Sequence, residues 1–278
     1  MKLMDILRGL PRSNGDWQFE LGQELHGAFG GANGGVLAAT CVAVARTLAP
    51  GRVPTGLDAH FLRGLTAGTA RVVPSLIHAG RTLSCVTVDL FDERDKLCTR
   101  STVTLVQRDA LHEVDSIGDT GPPAGHVPYA QGRAWARPTG PVRVPLIETF
   151  GPRLVGRDHA GIATAVRVLW DEPGTTAEAA CIAADISVGP PVMEALGGRA
   201  VPMPNPDLSL RFCADPAQPD VIVASARLER IDAGLATTRI EVRAAGELTA
   251  VGVSTTTLLA GAWPDAMRSA GKHAKSES

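Results

Sequence analysis

Residues 34–48 read GGVLAATCVAVARTL, and the fold turns on this stretch. It is rich in alanine and small apolar residues, holds no proline, and runs into Ala49-Pro50-Gly51, so it reads as a helix and its stop. Apolar residues occupy nearly the whole circumference, which puts such a helix inside a fold and not on its surface. Four segments rich in β-branched residues follow: Gly56 to Leu62, Thr69 to Ile77, Thr82 to Phe91 and Leu97 to Gln107, with turn residues between them. One buried helix followed by an antiparallel run implies a sheet wrapped around that helix.

From Arg108 to about Pro145 the chain changes to Gly, Pro and polar residues with weak periodicity, the composition of a linker or crossover. The first pattern then returns. Ala160 to Trp170 reads as a strand and Ala177 to Ile186 as a helix. Strands follow near Pro206 to Phe212, Val221 to Arg230, Leu235 to Arg243 and Leu248 to Leu259. Three landmarks recur: Asp58 in LDAHF and Asp207 in PDLSL, Gly80 before RTLSCVTVDL and Gly234 before LATTRIEVRA, and Leu97 and Leu248 opening the last strands. Their spacings are 149, 154 and 151 residues, as an internal duplication with small insertions requires. The competing reading is a chance likeness among β-rich segments.

At 278 residues, the chain is long enough for one large domain or two smaller ones, either with a full core and no need of disulfides. Its net charge of -2 gives no long-range positive field, so neither nucleic acid nor an anionic membrane is favoured as partner. Five scattered cysteines without a CxxC suit neither a metal site nor a disulfide framework, and point to a reducing compartment. The first residues, MKLMDILRGLPRSNG, lack the apolar stretch of a signal peptide. The longest apolar segment, near residues 35–45, is too short to cross a bilayer, and a cytoplasmic location is expected.

These features together resemble the double hot-dog acyl-CoA thioesterases of the acyl-CoA thioesterase II family. The matching residues are Phe29-Gly30-Gly31 with Gly34 entering the first helix, Phe61-Leu62-Arg63, Gly80-Arg81, Asp185, and Asn205-Pro206-Asp207. The resemblance spans about residues 17–107 and 145–260. It implies an α+β chain of two tandem hot-dogs, each an antiparallel sheet wrapped around a central helix. Residues 1–107 would form the first and 145–262 the second, with 108–144 as linker and 263–278 as a disordered tail. The activity implied is hydrolysis of an acyl-CoA thioester to free acid and CoA, with no cofactor and no metal. A homodimer or higher homo-oligomer is expected.

Asp185 lies in AACIAADISVG, among small and apolar neighbours. On residue type alone it reads as an exposed helix position, as a structural hydrogen bond to a strand, or as a buried carboxylate of the kind that serves as general base. In the family, a helix aspartate, a hydroxyl residue before the following strand and a glutamine on the last strand hold the water that attacks the thioester. Asp185 matches the first, Asn205 stands at the second, and Ser254, or its neighbour Thr255 or Thr256, stands at the third. Two of these three positions depart from the pattern in residue type.

The cluster Gly30-Gly31-Ala32-Asn33-Gly34-Gly35 sits where the first helix begins. Free amides of Gly34 and Gly35 can polarise a thioester carbonyl there, while the same glycines equally allow tight helix packing. Arg63 and Arg81 are the positional candidates for the phosphates of CoA, against the plainer reading as solvated arginines. The seven histidines form no HxxxH or HExxH pattern, and His26, His60 and His78 read as packing or surface residues. No GxSxG elbow occurs, and Cys41 and Cys181 sit in apolar helices as small hydrophobes, so a covalent nucleophile lacks support. The alternative function is a non-catalytic acyl-CoA or acyl-lipid binding protein on the same fold, with a hot-dog hydratase behind it for want of an Asp-x(4)-His pattern.

Overall fold

The computed structural model describes residues 7, 9–66, 68–112, 125–135, 144–168, 175–199, 201–216 and 220–260. In chain order the strands are β1 (Leu10–Pro11), β2 (Trp17–Leu21), β3 (Val53–Phe61), β4 (Gly68–Ala79), β5 (Leu83–Phe91), β6 (Leu97–Val106), β7 (Arg133–Ala134), β8 (Arg153–Asp158), β9 (Gly161–Arg167), β10 (Asp207–Phe212), β11 (Val221–Asp232), β12 (Leu235–Ala244) and β13 (Glu247–Thr257). The α-helices are α1 (Gly34–Leu48), α2 (Pro145–Phe150), α3 (Thr176–Ser187) and α4 (Gly189–Ala195).

All thirteen strands join one antiparallel sheet in the order β1-β2-β4-β5-β6-β3-β10-β13-β12-β11-β9-β8-β7. The central pair is β3 with β10, where Asp58 faces Ser209 and Asp207 faces His60, so two of the landmarks read as repeats lie beside each other. Outward from that pair the order is β6, β5, β4, β2 on one side and β13, β12, β11, β9 on the other. α1 packs on β3 to β6, α3 packs on β9 and on β11 to β13, and the two helices pack against each other.

The helices form where composition places them. Asn33 caps α1 by accepting the Val36 amide, and ten of the helix's fifteen residues are buried. In α3 all twelve residues are buried, including Glu178 and Asp185. Burial of this extent explains why neither helix has a polar stripe. The strands supply the matching face by alternation, as in β5, where Ser84, Val86, Val88 and Leu90 point into the core between more exposed neighbours.

α1 spans the expected residues, and the nine expected strands are present with ends shifted by a few residues. Six elements were not anticipated because they are short or lack periodicity: β1, β2, β7, β8, α2 and α4. The strand expected over Ala160 to Trp170 closes at Arg167, and Trp170 lies outside the described residues, as does the expected tail at 263–278. The segment expected as linker is partly built into the sheet. Its residues 125–135 run along β8, with the Val127 amide on the Val155 carbonyl, and end in β7. Among the described residues no helix is long and apolar enough to cross a membrane.

Candidate active site

α1 begins against the C-terminal half of α3, and the contact is close because residue 35 is glycine. A Cβ there would lie 2.6 Å from the Cys181 carbonyl oxygen, 2.8 Å from Ile182 Cα and 2.9 Å from Asp185 Cβ. Without a side chain in the way, the first turn of α1 rests on the carboxylate of Asp185, and the Gly35 amide donates to it. Asn33 Nδ2 donates to Asp185 Oδ2 at 2.5 Å. From the segment before β10, Asn205 Nδ2 donates to Asp185 Oδ1 at 3.1 Å. Asn205 is itself oriented by Thr256 of β13, whose hydroxyl donates to Asn205 Oδ1 at 2.8 Å.

These residues line a cavity of about 420 Å3, within the size range of small-molecule sites. Asn33, Gly34, Asp185, Asn205 and Thr256 contribute its polar wall. Phe29, Leu37, Phe61, Trp135, Leu146 and Met203 contribute apolar surface. Trp135 arrives on the 125–135 segment and lies against Gly189, where a Cβ would come 3.2 Å from the indole. Arg63 lines the cavity too, its guanidinium donating to the Leu97 carbonyl at 3.1 Å.

Only 7% of Asp185 is exposed. Burial raises its pKa above the usual aspartate range, and the hydrogen bonds from Asn205, Gly35 and Asn33 oppose that rise by stabilising the anion. A carboxylate in this condition is a stronger base than a surface aspartate, while its donors hold it in one orientation.

The structure brings together Asp185, Asn205, Gly34 and Arg63 and separates the other sequence candidates from them. Ser254 is not in the cavity: its hydroxyl donates to the Asp207 carbonyl at 2.7 Å, and Thr256, two residues on along the same face of β13, takes the position beside Asn205. Gly35 is not available to a ligand carbonyl, because its amide serves Asp185. Arg81 lies in the β4–β5 turn, whose Gly80 carbonyl accepts from Arg52 at 2.6 Å, just beyond the C-terminus of α1. A fifteen-residue helix is about 22 Å long, so Arg81 is at the wrong end for this cavity. Asn33 and Trp135 were missed as site residues. The N-cap position of Asn33 was a legible signal, whereas nothing in the sequence ties Trp135 to this wall.

Among the described residues no histidine lines the cavity, and no cluster of His, Cys, Asp and Glu is arranged to hold a metal ion. Cys41 and Cys181 are fully buried, and burial pushes the Cys41 thiol up to about 12 and Cys181 well above the ordinary thiol range, as their sequence setting implied.

Residues 24–106 match the family model of the acyl-CoA thioesterase N-terminal domain. No curated protein matches the chain in sequence. Among solved structures, the chain is similar to a tesB protein of Mycobacterium avium subspecies paratuberculosis, at 16% identity over 92% of this chain and 98% of that one, with a TM-score of 0.73. An acyl-CoA thioesterase II, TesB2, of Mycobacterium marinum aligns at 16% identity over 95% and 99%, with a TM-score of 0.72. A hot-dog protein of unknown function from Alicyclobacillus acidocaldarius aligns at 19% identity over 94% and 98%, with a TM-score of 0.71. The structural likenesses carry the fold, a hot-dog, and the domain match likens residues 24–106 to the N-terminal domain of the acyl-CoA thioesterases.

Proposed function

We propose that the chain is a tandem double hot-dog, with 1–107 and 145–262 as its two units, that hydrolyses an acyl-CoA thioester by a water held on Asp185. The observation that carries this reading is a buried carboxylate at the cavity wall with amide donors on both oxygens. Asp185 accepts a proton from the water as its oxygen bonds to the thioester carbonyl carbon. The carbonyl oxygen gains negative charge, which the amide of Gly34, a cavity-lining residue in the first turn of α1, stabilises in this reading. Collapse breaks the carbon–sulfur bond, and the proton passes from Asp185 to the departing thiolate, leaving acid and free CoA. Arg63 at the cavity is the candidate partner for a phosphate of CoA.

The family pattern of a hydroxyl before the strand and an amide on the last strand is here exchanged: Asn205 supplies the amide and Thr256 the hydroxyl. The hydrogen-bonding inventory of the pair is thus retained, one hydroxyl and one carboxamide, with their positions swapped. This supports turnover over the alternative of a binding protein, which would need no oriented carboxylate.

The test is release of free thiol from short, long, branched and aromatic acyl-CoAs by the unaltered chain and by Asp185→Ala. Turnover lost by about two orders of magnitude or more in the variant, with an unchanged circular dichroism spectrum, is expected for a general base. Equal turnover would remove Asp185 from the mechanism. Thermal stabilisation by acyl-CoA without turnover would establish the binding protein instead. The same preparations, run on a sizing column with light scattering, read out the expected homodimer or higher assembly.

A further inference from the structure

Asn33 uses both ends of its side chain at once. Its Oδ1 accepts the Val36 amide at 3.3 Å and so closes the first turn of α1. Its Nδ2 donates to Asp185, 152 residues away on α3. The chemistry of the partners fixes this orientation, since a backbone N–H requires an acceptor and a carboxylate requires a donor. Serine, threonine and aspartate cap helices as well as asparagine does. Aspartate has no donor to spare, and the hydroxyl of serine or threonine ends short of the neighbouring helix. Only the carboxamide does both tasks.

We infer that Asn33 is a positioning residue for hydrolysis, contributed by the first half of the chain, which holds the Asp185 carboxylate facing the cavity and favours its ionised form. This rests on the reading of Asp185 as base. Asn205, the other side-chain donor, comes from the same half as Asp185, so Asn33 is the side chain by which the first half donates to that carboxylate.

The surroundings leave the amides in control of that carboxylate. Cys181, one turn back on α3, is protonated by burial. Glu178, nearer the helix start, is paired with Arg46 of α1 at 2.7 Å. Glu194 on α4 is paired with Arg157 at 2.7 Å, Asp207 on β10 accepts the Thr255 amide, and the Arg63 guanidinium is turned to the Leu97 carbonyl. The groups that act on Asp185 directly are the three hydrogen-bond donors Asn205, Gly35 and Asn33.

The experiment is the pH profile of kcat/KM for the unaltered chain, Asn33→Asp, Asn33→Ser and Asp185→Ala, with the thermal midpoint of each. Asn33→Asp keeps shape and cap but sets a second carboxylate against Asp185. Its acid limb should move to higher pH by about one unit or more, with about tenfold lower kcat/KM on the limb itself that recovers as pH rises. Asn33→Ser keeps a cap and drops the donor, and its acid limb should move the same way by less. Both variants take a donor from a buried carboxylate, so both should melt below the unaltered chain. Because both keep the cap, a residue that serves only as a helix cap would leave the limb and the melting temperature in place. Unshifted limbs in both variants, in an enzyme that Asp185→Ala inactivates, overturn the role of Asn33 and spare Asp185. Full turnover by Asp185→Ala, or none by the unaltered chain, overturns the reading of the base and the role of Asn33 with it.

Discussion

An ionised carboxylate within a wholly buried helix is unfavourable by several kcal/mol unless donors replace the lost water. Asp185 has them, and the last in the series, Thr256, is also the one the sequence assigned least securely. Side chains on a strand alternate faces, so a two-residue displacement keeps a candidate on the correct face while moving it along the strand by about 7 Å. Ser254 and Thr256 therefore both point inward, and only their partners distinguish them. Two substitutions separate them experimentally. Thr256→Val should free the Asn205 amide to rotate and lower kcat by about tenfold, with little change in melting temperature. Ser254→Ala should leave thiol release as it was and cost about 1 kcal/mol in a urea titration, since it removes a hydrogen bond to the Asp207 carbonyl outside the cavity lining. Asp185 was legible through the family resemblance, since residue type alone also allowed an exposed or merely structural aspartate. Arg81 was misplaced because closeness along the chain to a hairpin says nothing about which end of a helix that hairpin covers.

α1 and α3 meet through unlike chemistry at their two ends. At the start of α1, Gly35 lets the backbones touch. Helix propensity favours alanine over glycine by about 1 kcal/mol, yet Gly35→Ala should destabilise the protein by about 1–3 kcal/mol. The added methyl meets backbone, which cannot turn aside. Differential scanning calorimetry reads the sign directly. At the other end Arg46 pairs with Glu178, a side chain that is 1% exposed. Arg46→Met should cost about 3–5 kcal/mol by leaving that carboxylate buried without its cation. Burial holds the Glu178 pKa above the usual glutamate range, with Arg46 opposing it. The folded state thus binds this proton more tightly than the unfolded chain. Its contribution is favourable at low pH and declines as pH rises from the ordinary glutamate value through the raised one. Glu178→Gln should flatten that decline in unfolding midpoints taken from about pH 4 to about pH 8. The helices and the strands that wrap them were readable because composition and alternation announce them. β1, β2, β7, β8, α2 and α4 were not, since two to seven residues hold too little periodicity and their places come from neighbours already folded.

The whole molecule joins its halves through the β3–β10 pair, the helix contact, the Arg46–Glu178 ion pair and the Asn33–Asp185 hydrogen bond. Neither half keeps its core covered without the other. Unfolding in urea should therefore follow one transition, coincident by circular dichroism and by tryptophan fluorescence, despite the repeated strand order. Two separate transitions would show that the seam is weaker than either unit. The recurrence of landmarks at nearly equal spacing anticipated two like sets of strands, although it could not give their order in the sheet. The two helix junctions occupy equivalent places in the repeated strand order, yet one holds a carboxylate among amides beside a cavity and the other a carboxylate sealed by a guanidinium. Two identical subunits related by a twofold axis would carry every substitution twice and keep both junctions alike, whereas a single polypeptide sets each junction independently of the other.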